Sequence, residues 1–312
     1  MILVLGATGF LGRHVCKKLD KRGVSYISTS RSLGVDFRNK EETLEIFKKS
    51  EPEYVLNCAA YVGGIQFGRK YPVDIFHNNL MMTLNILESA KEVGVKKIVN
   101  PISNCAYPAK ATLFKESEFW DGPLHDSVMV YGFVRKAFWV GSWAYHQQFG
   151  MDVVNLIFSN MYGPDDHFEE ERSHALGALI MKFTKAKMNN EPNVVVWGTG
   201  TPVREWLHVH DGAEAMIRAI GAESVIEPVN VGVASGISIK AMAEKIKACV
   251  GYTGEIVFDT TKPDGAAYKT VDGSRGAELL DWKPEIDFET GVNQSVQWYL
   301  DYIKSHASHI AE

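Results

Sequence analysis

Cysteine is scarce in this chain of 312 residues, with Cys16, Cys58, Cys105 and Cys249 scattered far apart. They have neither the density of a secreted disulfide scaffold nor the paired spacing of a zinc site, so a reducing compartment and no bound metal are expected. Long apolar runs are missing too. No stretch approaches the roughly 18 consecutive apolar residues of a membrane span, and the chain opens on a core-like strand rather than a signal peptide. The expectation is a cytoplasmic protein with no membrane partner. Nor is there an excess of positive charge: the formal net charge is −5, which gives no bulk attraction for nucleic acid. Internal repeats and low-complexity segments are also lacking. What remains is a chain long enough to bury a substantial core and to divide into two lobes.

The most informative segment is Met1 to Gly12, MILVLGATGFLG. Ile2, Leu3, Val4 and Leu5 suit a strand buried on both faces of a parallel sheet, and Phe10 to Leu19 has helical spacing. Gly6, Gly9 and Gly12 therefore fall in a strand-to-helix turn. Without side chains they let a pyrophosphate approach the amides of a helix N-terminus, whose dipole favours negative charge. An NAD-selective site usually carries an acidic residue about 20 positions later, on the ribose hydroxyls. This chain has Ser28-Thr29-Ser30-Arg31 there. Arg31 suits a ribose 2′-phosphate, with Arg13 as a second cation, and the cofactor expected is NADP(H). The alternative is that Arg31 is a solvated strand-end cation.

Strand-like and helix-like patterns alternate, with strands expected at 2–5, 24–29, 53–57, 97–101 and 152–157. Helices are expected near 10–22, 40–50, 72–94, 131–149 and 211–221. This alternation predicts an α/β fold with a doubly wound parallel sheet and a smaller C-terminal substrate lobe. The first unit is placed at 1–160, with 204–232 returning to it; the second comprises 161–203 and 233–312. In the second, a helix is expected near 173–188, a strand at Val194-Val195-Val196, and a helix capped by Ser238. Helices 72–94 and 131–149 carry surplus apolar residues, among them Leu80, Met81, Leu84, Leu87, Phe138, Trp139 and Trp143. Either they form a buried pair within one subunit or they meet their copies in a homodimer.

The chemistry is expected after strands four and five, where Ser103 and Cys105 lie in Pro101-Ile102-Ser103-Asn104-Cys105-Ala106-Tyr107-Pro108 and Tyr131 opens the next long helix. This layout resembles the extended short-chain dehydrogenase/reductase family. The resemblance implies a serine and a tyrosine that hold a substrate carbonyl, with a lysine four residues after the tyrosine. A phenol that transfers a proton near neutral pH needs a cation beside it. Here Tyr131-Gly132-Phe133-Val134-Arg135-Lys136 puts arginine at that position. On a helix i+4 lies about 40° round from i and i+5 about 140°, so Arg135 shares a face with Tyr131 and Lys136 does not. Arginine is bulkier and cannot lose its proton. Either Arg135 does the lysine's work or reduction is weakened.

Further stretches are similar to one branch of that family, the GDP-L-fucose synthases. They are Ala59-Ala60-Tyr61-Val62-Gly63-Gly64-Ile65, Tyr71-Pro72 through Asn79, Ser103-Asn104-Cys105, Asn160-Met161-Tyr162-Gly163-Pro164, Val194 through Gly200 with Arg204, and Lys262-Pro263-Asp264-Gly265. The resemblance implies an NADPH-dependent 3,5-epimerase and 4-reductase of a GDP-4-keto-6-deoxy sugar, with Cys105 and His174 performing the epimerisation. A thiol and an imidazole can exchange protons near neutral pH, and hydroxyls on the carbonyl stabilise the enolate between them. It implies substrate contacts at Lys182, Trp197, Arg204 and Asp264. For the cofactor it implies Gly6, Thr8, Gly9, Phe10, Leu11 and Gly12, then Arg31, Asp36, Ala59 and Ala60, and at the nicotinamide end Ser103, Tyr131, Arg135, Asn160 and His174. A 4,6-dehydratase would carry an acidic pair after the serine, where this chain has Asn104-Cys105. Whether the sugar is a deoxyhexose or a heptose stays open.

Overall fold

The computed structural model describes residues 1–169, 172–262, 264 and 267–307. Its first half runs β1 Ile2–Leu5, α1 Phe10–Lys21, β2 Tyr26–Thr29, α2 Lys40–Ser50, β3 Tyr54–Asn57, α3 Ile65–Lys70, α4 Pro72–Val93, β4 Lys97–Ser103, β5 Leu113–Phe114, α5 Met129–Phe149, β6 Asp152–Phe158 and β7 Asn160–Tyr162. Its second half runs α6 Ala175–Met188, β8 Asn193–Trp197, β9 Val203–His208, α7 Val209–Gly221, β10 Val229–Val231, β11 Gly236–Ser238, α8 Ile239–Val250, β12 Glu255–Asp259, β13 Tyr268–Val271, α9 Ser274–Leu279 and α10 Phe288–Ala307.

Alternation along β1 sets up the layers. Leu3 and Leu5 join Phe47, Ile86, Ile98 and Phe138 on one side of the sheet. Ile2 and Val4 join Leu11, Val15, Leu19, Ala213 and Met216 on the other. Successive strand residues point to opposite faces, so a strand covered by helices on both sides must be apolar throughout. The sheet has six parallel strands in the order β10-β6-β4-β3-β1-β2. The chain steps outward from β1 to β2, then crosses back to β3 on the other side of β1. That reversal opens a crevice at the carboxyl ends of β1 and β3.

A second core gathers Leu176, Ile180 and Phe183 of α6, Met242 and Ile246 of α8, Val292 and Val296 of α10 and Val194 and Val196 of β8. Beside it lie a sheet of order β11-β9-β13-β5, with β7 on β9, and the parallel pair β12-β8. Ser238 caps α8 by accepting from the Ala241 amide.

Two boundaries differ from expectation in ways that bear on the site. β4 continues to Ser103 because pairing with β6 persists through Ser103 opposite Phe158. Ser103 thus ends a rigid strand. α5 begins at Met129, so Tyr131 sits inside its first turn. Sequence periodicity also gave no sign of a buried amide ladder, in which Asn57 donates to Asn100 at 2.8 Å and Asn100 to Asn155 at 3.0 Å. These side chains link three strands, with only the Asn155 Nδ2 at the end of the ladder left without a partner among the described residues. Among the described residues no helix is long and apolar enough to cross a membrane, and no cluster of His, Cys, Asp or Glu is arranged to hold a metal.

Candidate active site

Close packing creates the crevice. Gly6 has φ 71°, and a Cβ there would lie 2.7 Å from the Ala59 amide nitrogen, where the chain leaving β1 passes the chain leaving β3. A Cβ on Gly12 would lie 2.2 Å from the Gly6 carbonyl oxygen, so any side chain there pushes α1 off its strand. Gly9 is the N-cap of α1. No side chain caps this helix and its first turn holds no acid. Its free amides and dipole suit a pyrophosphate.

Beside this terminus three hydroxyls form a triangle, with Thr8 Oγ1 2.9 Å from Ser30 Oγ and 2.8 Å from Ser32 Oγ, and the two serines 3.0 Å apart. Arg31 stands between the serines, exposed; its carbonyl accepts from the Gly34 amide, while its guanidinium makes no hydrogen bond among the described residues and has Asp36 as an electrostatic neighbour. The hydroxyls and the free guanidinium fit a ribose phosphate. Arg13 is more committed: its Nε donates to the Thr8 carbonyl at 2.7 Å and its Nη1 lies 3.5 Å from Asp165. Asp165 also pairs with Lys17 at 2.7 Å, fastening the 163–166 loop to α1. Asp36 is gripped by Arg38, whose Nε reaches its two oxygens at 2.8 and 3.0 Å, holding the carboxyl below its usual range. Ala59 donates its amide to Asn57 Oδ1, and Ala60 follows in the same turn.

At the far end of β4, Ser103 Oγ accepts from the Cys105 amide at 3.2 Å and also reaches the thiol. Gly132 lets α5 close on this turn, since a Cβ there would lie 2.4 Å from the Cys105 carbonyl oxygen. That contact carries Tyr131, the preceding residue, to the edge of the Ser103–Cys105 turn. The Arg135 guanidinium lies 5.0 Å from the centre of the Tyr131 ring and donates from Nη2 to Asn79 Oδ1 at 2.9 Å, while its buried Nε has no partner. Asn79 donates in turn to the carbonyls of Tyr61 and Ile75. This one amide ties α4, α5 and the loop after β3 together.

Lys136 points elsewhere. It donates to the Phe119 carbonyl and lies 4.4 and 4.2 Å from the ring centres of Phe119 and Trp120. Burial pulls its pKa down to about 8, and the ring faces and carbonyl offset that cost. Lys136→Met is expected to lower unfolding free energy by about 1–3 kcal/mol, through an unpaired carbonyl and two lost cation–π contacts. A urea titration measures this; turnover at an unchanged level in the folded variant distinguishes it from a catalytic loss.

His174 is the N-cap residue of α6. Its segment is held by Gly64, which donates its amide to the Arg172 carbonyl at 3.0 Å and whose Cβ would lie 2.5 Å from the Ser173 carbonyl. The second glycine of the Val-Gly-Gly stretch therefore has a packing reason. The protein around His174 lowers its pKa, with the nearby His167 adding like charge, while burial pushes the Cys105 thiol up. Both residues nonetheless keep solvent-accessible surface. Asn160 donates to the Glu205 carbonyl at 2.9 Å, on the strand that carries Arg204.

The remaining expected residues lie around β8 and β9. Lys182 donates to the Val195 carbonyl at 3.3 Å, and Trp197, two positions on along the same strand face, is 56% exposed, leaving one ring face to stack. Lys262 lies 5.7 Å from the Trp197 ring centre. Asp264 accepts from the Thr199 amide at 2.8 Å and its hydroxyl at 2.6 Å, and Gly198, at φ 81°, makes room for that carboxylate. Pro263 and Gly265 of the same stretch lie outside the described residues. Arg204 is anchored to the Val203 carbonyl at 2.7 Å and interacts electrostatically with Asp264. Sequence reading missed Asn79 as a hub, Ser32 in the hydroxyl triangle and Lys269, which lies opposite Arg204. Asn79 did fall within a matched stretch, the one signal that could have flagged it.

Residues 2–232 match the model of the "NAD dependent epimerase/dehydratase family". A putative GDP-L-fucose synthase 2 of Arabidopsis thaliana is 37% identical over 303 residues, covering 97% of this chain and 92% of that protein. Among solved structures, a GDP-L-fucose synthetase from Naegleria fowleri bound to NADP superposes with a TM-score of 0.89 at 29% identity, covering 97% of this chain and 94% of the other. A GDP-6-OMe-4-keto-L-xylo-heptose reductase from C. jejuni also reaches 0.89, at 27% identity, covering 96% and 97%. By its glycine turn, its parallel sheet and this match along most of its length, the chain belongs to the NAD dependent epimerase/dehydratase family.

Proposed function

We propose that the protein is an NADPH-dependent 3,5-epimerase and 4-reductase of a GDP-4-keto-6-deoxy sugar, producing GDP-L-fucose or a close relative. The observation that carries this reading is the reachable thiol of Cys105, held by Ser103 against the helix turn that bears Tyr131. Carbonyl reduction alone has no use for a thiol there. Proton exchange beside a ketone does, and the named similarity to GDP-fucose synthases and a GDP-heptose reductase supports it.

In this reading Cys105, as thiolate, removes the proton at C3 or C5. The C–H electron pair moves into an enolate whose oxygen accepts from the Ser103 and Tyr131 hydroxyls. His174 returns a proton from the opposite face, which inverts the centre. NADPH, when bound, supplies the hydride for C4, and Tyr131 protonates the resulting alkoxide while Arg135 steadies the developing phenolate. Arg204 and Lys182 hold the diphosphate, Trp197 stacks on guanine and Asp264 fixes the polar end of the nucleotide. Incubation of the pure protein with GDP-4-keto-6-deoxymannose and NADPH, followed by NMR of the product, tests this. GDP-L-fucose is the expected product; an unchanged substrate that a GDP-4-keto-heptose replaces would move the assignment to the heptose reductases.

Arg31 reads the 2′-phosphate. Arg31→Ala is expected to weaken NADPH binding by roughly ten- to a hundredfold, the equivalent of a charge-assisted hydrogen bond of about 1.5–3 kcal/mol. NADH binding should be nearly unchanged. Equal losses for both in a fluorescence titration would show that Arg31 is only a solvated cation.

We further propose a homodimer. α4 and α5 pack together within the subunit, yet Phe76, Leu84, Phe133 and Val140 remain 45 to 58% exposed on their outer surface, with Phe76 stacked on Phe133 at 6.1 Å. An apolar patch of this kind fits its own copy across a two-fold axis. The division into a cofactor unit of 1–160 with 204–232 and a sugar-nucleotide unit of 161–203 with 233–312 belongs to the same proposal. The return of α7 to α1 and of β10 to β6 supports it, although β9 pairs in the second sheet.

A further inference from the structure

Glu205 lies on β9 between Arg204 and Trp206, and it is wholly buried. A buried acid normally sits beside a cation. Among the described residues no cation pairs with this one, and backbone amides hold its carboxylate instead: Val233 donates to Oε1 at 2.6 Å and Val271 to Oε2 at 2.7 Å. The two donors come from different sheets. Val233 follows β10, the edge strand of the six-stranded sheet, and Val271 ends β13 in the second sheet. One carboxylate therefore fastens both to β9.

The surroundings are shaped to this group. A Cβ on Gly232 would lie 2.3 Å from Oε1 and 3.0 Å from the Val271 Cβ, so the turn after β10 closes on the carboxylate only because that residue is glycine. Ala234, two positions on, is left-handed at φ 57°, a conformation costly for alanine. Removing the carboxylate from water is costly too: burial pushes its pKa up, and the two amides pull against that rise. An apolar side chain would carry no such penalty. What the acid supplies is geometry, because each of its oxygens takes one N–H and so sets the spacing of three chain segments.

The same residue stands between the two ends of the proposed site. Its main-chain carbonyl accepts from Asn160 Nδ2 at 2.9 Å, and Asn160 lies opposite Trp206 where β7 runs beside β9. Arg204, one position back, points to the other side of the strand and pairs with Ile237 of β11 and Lys269 of β13. We propose that Glu205 is a positioning residue for Arg204: its carboxylate clamps the end of β10 and the end of β13 to β9 and so fixes where the guanidinium meets the substrate. The inference rests on the reading of Arg204 as a diphosphate contact.

GDP alone is the probe, titrated calorimetrically into the full-length protein. Arg204→Ala should weaken its binding about thirtyfold, through loss of a charge-assisted contact. Glu205→Gln should weaken it roughly tenfold, since a carboxamide has one accepting oxygen and turns an N–H toward the other amide. The double variant should bind no more weakly than Arg204→Ala, because a residue that acts through Arg204 then has nothing to act on. NADPH should bind as in wild type. Should Glu205→Gln fail to fold, Gly232→Ala, whose methyl presses on Oε1, is read in its place. Losses that multiply in the double variant, or GDP binding at the wild-type level in Glu205→Gln, overturn the proposal; a matching loss of NADPH affinity would mean a general loosening of the fold and overturns it as well. Hydrogen exchange in the nucleotide-free protein reads the clamp without any ligand: of the Val233 and Val271 amides, the one that loses its acceptor should exchange faster in Glu205→Gln, and unchanged exchange at both also overturns the proposal. A wild type that ignores GDP would sink the functional reading and the positioning of Arg204 with it, while faster exchange in that protein would leave the clamp itself in place.

Discussion

Cys105→Ser is expected to stop the exchange of the C3 and C5 protons of GDP-4-keto-6-deoxymannose with deuterated water while NADPH binds as before. The substitution keeps the shape and removes an ionisable thiol, and an alcohol is a far weaker acid. General acid–base catalysis contributes about 10²–10⁴-fold, so exchange should fall by that range. The cofactor crevice should be untouched, because the groups proposed for it at the glycine turn and around Arg31 lie on other elements. Ser103 still accepts from the residue 105 amide in the variant, so the turn is retained. Exchange at the wild-type rate, followed by proton NMR, would mean that another group is the base. Reduction of the ketone without prior inversion should survive, giving a 4-reduced product with the original configuration at C3 and C5.

The sequence made the frame legible because its signals are local. Ile2 to Leu5 followed by Gly6, Gly9 and Gly12 encodes a strand, a sharp turn and an uncapped helix within twelve residues, and the packing of Gly6 on Ala59 gives that pattern its reason. The relation of Tyr131 to Arg135 was equally readable, since helical geometry places i+4 on the same face. What escaped are contacts between residues distant in the chain. Asn79 meets Arg135 across 56 positions, and the Asn57, Asn100 and Asn155 ladder spans three strands. Lys269 comes to lie opposite Arg204 and over the Phe114 ring only because β13 pairs with both β9 and β5. The start of α5 escaped for a different reason: Met129 and Val130 carry no cap signal, and the preceding 3₁₀ turn at Asp126–Val128 leads straight into the helix.

Arg135→Met is expected to abolish most hydride transfer while proton exchange persists. The guanidinium stacks on the Tyr131 ring and is fixed by Asn79, so its loss removes the charge that steadies a phenolate and loosens the ring that must deliver the proton. Loss of one preorganised electrostatic contact of this kind costs roughly 10²–10³ in rate. Exchange depends chiefly on Cys105 and on polarisation of the ketone, to which Ser103 still contributes, and should fall less than about tenfold. Asn79 should keep its donor bonds to the Tyr61 and Ile75 carbonyls, so the variant should fold. Arg135→Lys restores a cation on the same face, but a shorter one that cannot bond Asn79 and cover the ring together. Partial recovery of reduction is therefore the expected outcome, with the NADPH oxidation rate between those of wild type and Arg135→Met. Stopped-flow oxidation of NADPH, run beside Lys136→Met, settles the assignment. An inactive but folded Lys136→Met with an active Arg135→Met would make Lys136 the partner of Tyr131, against a geometry in which Lys136 is held by the Phe119 carbonyl and two aromatic rings on the other side of the helix.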